Sequence, residues 1–158
     1  IPDEDASIRS LAISPDCTTL VAGSQSADVF VWHLPSQTEV GKPVPVHRFV
    51  AHEDAYLTRL AVAQDQSTGS MMLSTCSSDA SVRLWDLGRA NCPRKSELRG
   101  HKRWVWDCAF SADSAYLVTA SSDCTARLWE LSSGETVRHY NGHSKAAVCI
   151  ALNDLSVT

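Results

Sequence analysis

Short apolar runs alternate with polar turns along nearly the whole chain. The stretch from 104 to 140 shows the pattern best. WVWDCAF, YLVTAS, TARLWEL and TVRHY read as four successive strands, separated by SADSA, SDC and SSGE. Runs of this length, bounded by Ser, Asp and Gly, are the signature of antiparallel hairpins. Their Val, Leu, Thr and aromatic content suits a half-buried pleated surface. No segment carries an amphipathic helix period; the best approach to one, DCAFSADSAYL, is broken by its own Asp-Ser turn.

The strand pattern repeats. RLWDL at 83–87 returns as RLWEL at 127–131, and TCSSD at 75–79 returns as TASSD at 119–123. Trp85 and Trp129 are thus one period apart, within the roughly 40–45 residues of a four-stranded repeat. GH at 100–101 recurs at 142–143, with AH at 51–52 as a weaker copy, and LVAGSQSADVFVWHL at 20–34 is a fainter first unit. A sheet of this size cannot cover both its faces, so such units stack around an axis as the blades of a β-propeller. The expected fold is all-β: a partial propeller of three four-stranded blades, at 1–46, 47–98 and 99–141, followed by the first strand of a fourth within 142–158. GKPVPVHRFV, residues 41–50, reads as an outer strand or loop, because proline cannot donate within a central ladder. Since the chain begins at Ile1 and ends on an orphan first strand, further blades are expected ahead of it.

Composition narrows the function. The chain has 158 residues, 44% of them hydrophobic, with a net charge of −4. The balance offers no basic face for nucleic acid. The cysteines at 17, 76, 92, 108, 124 and 149 form no C-x-x-C pair and have no His at zinc spacing, so free thiols in a reducing compartment are expected. No metal or cofactor motif is present, and neither a P-loop nor a kinase-type Gly-rich loop occurs. IPDED at the start lacks the features of a signal peptide, and AAVCIAL is too short to span a bilayer. No small-molecule substrate and no membrane insertion are expected.

One group of residues resembles a hydrolytic site: His101, several serines, Asp107 and Asp123. Yet His101, Thr119, Asp123 and Trp129 recur one unit earlier as His52, Thr75, Asp79 and Trp85. A catalytic constellation is needed once, so duplication in step with the repeat points to structure. The GH, S-D and L-W-D signatures resemble the WD40 repeat family. In that family the matching residues form a buried hydrogen-bonded tetrad, and the resemblance assigns that role to these two quartets. The chemistry suits it: an indole N–H only donates, a Thr hydroxyl both accepts and donates, and a His ring carries the chain onward to a carboxylate. The first unit departs from the pattern, with Glu4, Ala22 and Ser26 at the His, Thr and Asp positions and only Trp32 retained.

Within the family, WVWDCAFS, TARLWELSSGE and GHSKAAVCIALND resemble the WD-repeat subunits of the target-of-rapamycin (TOR) kinase complexes; QDQSTGSMM is a longer, more polar turn than theirs. The resemblance implies a cytoplasmic, non-catalytic scaffold, also peripheral on endomembranes. Its partners would be the TOR kinase catalytic domain and other TOR-complex subunits, and its output growth and actin organisation. Partners of propellers often use the rim where fourth strands lead into first strands. There the chain offers Lys102, Arg103, Trp104 and Trp106, with Tyr56 and Thr58 at the tryptophan positions one unit earlier and Ser78 and Ser122 nearby. Trp104 is assigned to the interface; Trp106 fits the interface and inter-blade packing equally. The rival adaptor class, substrate receptors of cullin ubiquitin ligases, often carries a W-D-x-R box. After Trp85-Asp86-Leu87-Gly88 the arginine, Arg89, comes one residue late.

Overall fold

The computed structural model describes residues 7–34, 45–66 and 68–153. Within them the chain forms twelve strands and no helix. β1 (Ile8–Ile13), β2 (Thr19–Ser24), β3 (Asp28–His33) and β4 (His47–Val50) make the first sheet. β5 (Leu57–Gln64), β6 (Met71–Ser77), β7 (Ser81–Asp86) and β8 (Arg94–Arg99) make the second. β9 (Val105–Phe110), β10 (Tyr116–Ser121), β11 (Ala126–Glu130) and β12 (Thr136–Tyr140) make the third. Each is an antiparallel meander in chain order.

The turns explain why the strands fall where they do. Between the second and third strand of each sheet one residue takes a left-handed conformation: Ala27 (φ 65°), Ala80 (φ 66°) and Cys124 (φ 67°). Each follows the Ser or Asp of the turn signature. Asp79 Oδ1 accepts the Ser81 amide at 2.8 Å, and Asp123 Oδ1 accepts the Thr125 amide at 3.0 Å. These side chains replace backbone partners that the tight reversal cannot supply.

The apolar core lies between sheets. Val21, Val29 and Val31 of the first sheet meet Leu57, Leu60 and Leu73 of the second. Leu84, Cys76 and Val82 of the second meet Val105, Cys108 and Leu117 of the third. Fully burying one such Leu or Val is worth about 1.5–3 kcal/mol, so stacking supplies what a lone sheet lacks. Gly23 permits close approach: a Cβ there would sit 2.8 Å from Leu57 Cδ2 of the neighbouring sheet. β1 has no sheet against its other side among the described residues, and Leu11 and Ile13 are 62% and 51% exposed there.

The first strand of each sheet carries a bulge. Leu57 and Arg59 oppose the consecutive residues Ser77 and Cys76, leaving Thr58 over. Val105 and Asp107 oppose Ser121 and Ala120, leaving Trp106 over. Arg9 is the extra residue in β1. A bulge shifts the side-chain alternation by one position, which is how Val105 and Cys108 both reach the core.

Three boundaries differ from the sequence expectation. His47–Val50 pairs with β3 and belongs to the first sheet, beyond the limit at 46. Arg99 ends β8 and so belongs to the second sheet, one residue past its limit. Residues 141–153 form no strand. They lie against the third sheet, with Ala147 N donating to Ser121 O and Ile150 N to Asp107 Oδ2, both at 3.0 Å. Leu60 makes the equivalent bond one interface earlier, its amide donating to Ser10 Oγ at 3.0 Å. The segment therefore takes the place of an innermost strand, but none of the described residues offers it a second strand to ladder with. Glu4 lies outside the described residues.

Candidate protein-interaction surface

Two polar quartets hold the second and third sheets. In the third, Trp129 Nε1 donates to Thr119 Oγ1 at 2.9 Å. Thr119 Oγ1 stands 2.8 Å from His101 Nε2, and His101 Nδ1 stands 2.9 Å from Asp123 Oδ2. One proton arrangement satisfies every member. The indole donates to the hydroxyl, the hydroxyl to Nε2, and Nδ1–H to the carboxylate. The second sheet repeats it: Trp85 to Thr75 at 3.0 Å, Thr75 to His52 at 2.9 Å, and His52 to Asp79 at 3.0 Å. In the first sheet, Ala22 offers no hydroxyl to Trp32, whose ring instead stacks on Phe30 at 5.9 Å.

The electrostatics follow from these bonds. Burial works against the charge on Asp123. The Thr125 hydroxyl, the Lys102 amide and His101 outweigh it, holding the carboxyl well below the usual range. At Asp79, burial is likewise outweighed, here by His52 and by the Ser81 hydroxyl and amide. Burial pushes His101 below the ordinary imidazole value, against the pull of Asp123. Both His101 nitrogens are committed to fixed partners, and Thr119 is wholly buried. A substrate has no access to such a site. Ser81 and Thr125 complete the two carboxylate shells at 2.6 Å each. Sequence reasoning passed over them, although both are hydroxyl residues two places after the turn aspartate.

The quartets also fix the rim. Lys102 N donates to Asp123 Oδ2 at 3.0 Å, Ser121 Oγ to Arg103 O at 3.1 Å, and Ser122 N to Trp104 O at 2.9 Å. The loop is thereby pinned at successive residues while the side chains of Lys102, Arg103 and Trp104 stand in solvent. Around Tyr56 the scheme recurs: its amide donates to Ser78 Oγ at 2.8 Å, and its carbonyl accepts from Ser78 N at 2.9 Å. Three aromatic rings then run across the two sheets. Tyr56 and Trp104 are 5.9 Å apart, and Trp104 and Trp106 are 5.2 Å apart. Tyr56 is 50% and Trp104 39% exposed. An open trough lined by Trp104 and Trp106 also carries Asp79, Lys102 and Arg103.

Thr58 points elsewhere, and Trp106 is shared between two roles. Thr58 donates to Val105 O of the adjacent sheet, so its hydroxyl ties sheets together. Trp106, half-buried, donates its indole N–H to Ser122 Oγ. It serves packing at its polar end and the aromatic row at its ring.

Among the described residues, no helix is long and apolar enough to cross a membrane. No group of three or more His, Cys, Asp or Glu among them could hold a metal ion.

The family described as "WD domain, G-beta repeat" matches residues 2–33, 43–86 and 92–130. "Target of rapamycin complex subunit LST8" of Saccharomyces cerevisiae is 46% identical over 98% of this chain and 49% of its own length. "Target of rapamycin complex subunit wat1" of Schizosaccharomyces pombe is 48% identical over 99% of this chain and 48% of its own. The Rattus norvegicus "Target of rapamycin complex subunit LST8" is 38% identical over 98% of the chain and 48% of its length. The chain thus spans about half the length of the curated relatives it matches. A chain of a solved structure, "Crystal Structure of Mitotic Checkpoint Complex", superposes with a TM-score of 0.77 at 22% identity, covering 91% of this chain and 40% of that one. That likeness bears on the fold alone.

Proposed function

This chain belongs to the WD40 repeat family, and on that premise we propose that it is part of a non-catalytic scaffold subunit of the TOR kinase complexes. The observation that carries the reading is the high identity, over nearly the whole chain, to proteins named as subunits of those complexes. On this reading the subunit binds and stabilises the kinase catalytic domain and contacts other subunits. It works in the cytoplasm, where it supports signalling to growth and actin organisation. Phosphoryl transfer is the kinase's chemistry. The polar quartets serve the scaffold by holding the rim loops in place.

The contact surface we assign is the row Tyr56, Trp104 and Trp106 with Lys102 and Arg103. Large rigid aromatic side chains beside cations are the composition that carries most of the binding energy at protein interfaces. Their loops are ordered before binding by the bonds to Asp123, Ser121 and Ser122, which lowers the entropic cost of association. Ser78 and Ser122 act by positioning, through the backbone of Tyr56 and Trp104.

Affinity capture on the full-length parent tests the reading. Recovery of the TOR kinase by wild-type protein, and its loss with Trp104→Ala at unchanged melting temperature, is the expected result. Recovery of a cullin adaptor without the kinase would replace the scaffold reading with the ubiquitin-ligase one.

A further inference from the structure

We propose that the cleft at the opposite end of the second and third sheets is a docking groove for a peptide segment that places a cationic side chain next to an aliphatic one. The cleft has a volume of about 390 Å³, at the small end of the roughly 300–1,000 Å³ typical of ligand sites. It lies where the β5–β6, β9–β10 and β11–β12 turns converge, at the far ends of the strands from Trp104.

Its floor is apolar. Met72 and Leu84 belong to the core between the sheets, and Leu131 packs against that core. Its rim is anionic, carrying Asp65, Asp113 and Glu130 against the single cation Lys95. Lys95 is committed to Asp65 at 2.8 Å. Asp113 and Glu130 form no ion pair with any described residue. Asp113 is fixed by the Ser111 hydroxyl at 2.6 Å and the Ala115 amide at 3.0 Å. Those bonds hold its carboxyl below the usual range. Glu130 accepts from Ser133 Oγ at 2.8 Å.

A preorganised pair of carboxylates over a hydrophobic floor selects its occupant by charge and shape. An anionic ligand is repelled. A Lys or Arg satisfies Asp113 and Glu130, and a neighbouring Leu, Ile or Met packs on Leu131 and Ala115. The size suits a few side chains of an extended segment. The groove and the aromatic rim sit at opposite ends of the same two sheets, so both can be occupied at once, and the protein can bridge two partners.

The test is a selection from a random heptapeptide display library on the immobilised full-length protein. The expected outcome is enrichment of sequences with Lys or Arg adjacent to Leu, Ile or Met. A synthetic peptide of the selected consensus should bind about tenfold more weakly to Glu130→Gln and to Ala115→Arg, and equally well to Trp104→Ala. Melting curves of both groove variants should match wild type; Glu130→Gln keeps the shape of the side chain and so isolates the charge. Three results overturn the proposal: no enrichment, enriched sequences without that pairing, or a consensus peptide indifferent to both groove variants. A self-associating protein whose dimer these variants dissolve would assign the groove to a second copy and overturn it as well.

Discussion

Thr119 and Trp129 meet across β10 and β11 with the indole N–H on the threonine hydroxyl at 2.9 Å. The same hydroxyl reaches His101 at 2.8 Å, so one oxygen joins the strand ladder to the rim loop. Thr119→Val keeps the shape and removes that oxygen, leaving a buried N–H and a buried ring nitrogen unpaired. The expected cost is about 1–3 kcal/mol, read as a lower urea midpoint. Combining it with Trp129→Phe should cost clearly less than the sum of the two single changes. Strict additivity would show that the quartet does not act as a network.

Acid should weaken the fold in two stages. The folded value of His101 lies below its ordinary 6.5, chiefly through burial, with Arg127 and His139 pushing the same way against Asp123. The native state therefore binds this proton less readily than the unfolded chain does. That contribution is fully present above pH 6.5 and is lost as pH falls through the folded value. Asp79 and Asp123 lie below their ordinary 3.8, so their contributions are present above that pH and disappear beneath it. Denaturant midpoints measured from pH 8 down to pH 3 should hold level, then fall below about 6.5, then fall again below about 4. Asp123→Asn should flatten the last limb.

Trp104 and Trp106 should part company on substitution. Trp104→Ala removes an exposed ring and should cost about 2 kcal/mol in partner binding with little change in Tm. Trp106→Ala also removes the hydrogen bond to Ser122 and half-buried packing, so Tm should fall too. Calorimetry of both variants, alongside titration against the partner, separates the two effects.

Asp107 ties three elements together. It pairs with Arg59 of the second sheet at 3.1 Å and accepts the Ile150 amide at 3.0 Å. Asp107→Ala in this chain should release residues 147–150, so that their amides exchange at the rate of free chain while β10 and β11 stay protected. Unchanged protection at Ile150 would assign the docking of this segment to its apolar contacts.

The sheets were legible because Trp85 and Trp129, with their flanking motifs, return on one period, and period is a property of sequence alone. The segment after 142 reads as an orphan first strand, and it lies where an innermost strand would, without a ladder of its own among the described residues. Its apolar pattern is that of a strand, but a ladder needs a partner, and pairing is not written in one segment. The bulges left a trace: Val105 and Cys108 are out of phase for a shared face, and only an extra residue reconciles them. Thr58 misled because alignment gives position and not direction; its hydroxyl turns to the Val105 carbonyl. The anionic groove had no sequence signal, since Asp65 and Asp113 sit in separate turns and Glu130 ends β11, and the three meet only when the sheets stack.

The extra residue in each first strand frees one position per repeat from the ladder. The bulged position contributes no rung, so its side chain is set by what it touches beside the sheet rather than by strand pairing. Arg9, Thr58 and Trp106 already show how far it can range within one molecule. Thr58 uses the spare position for a tie to Val105, and Trp106 uses it for Ser122 and the aromatic row, so one and the same slot serves cohesion in one repeat and surface chemistry in the next.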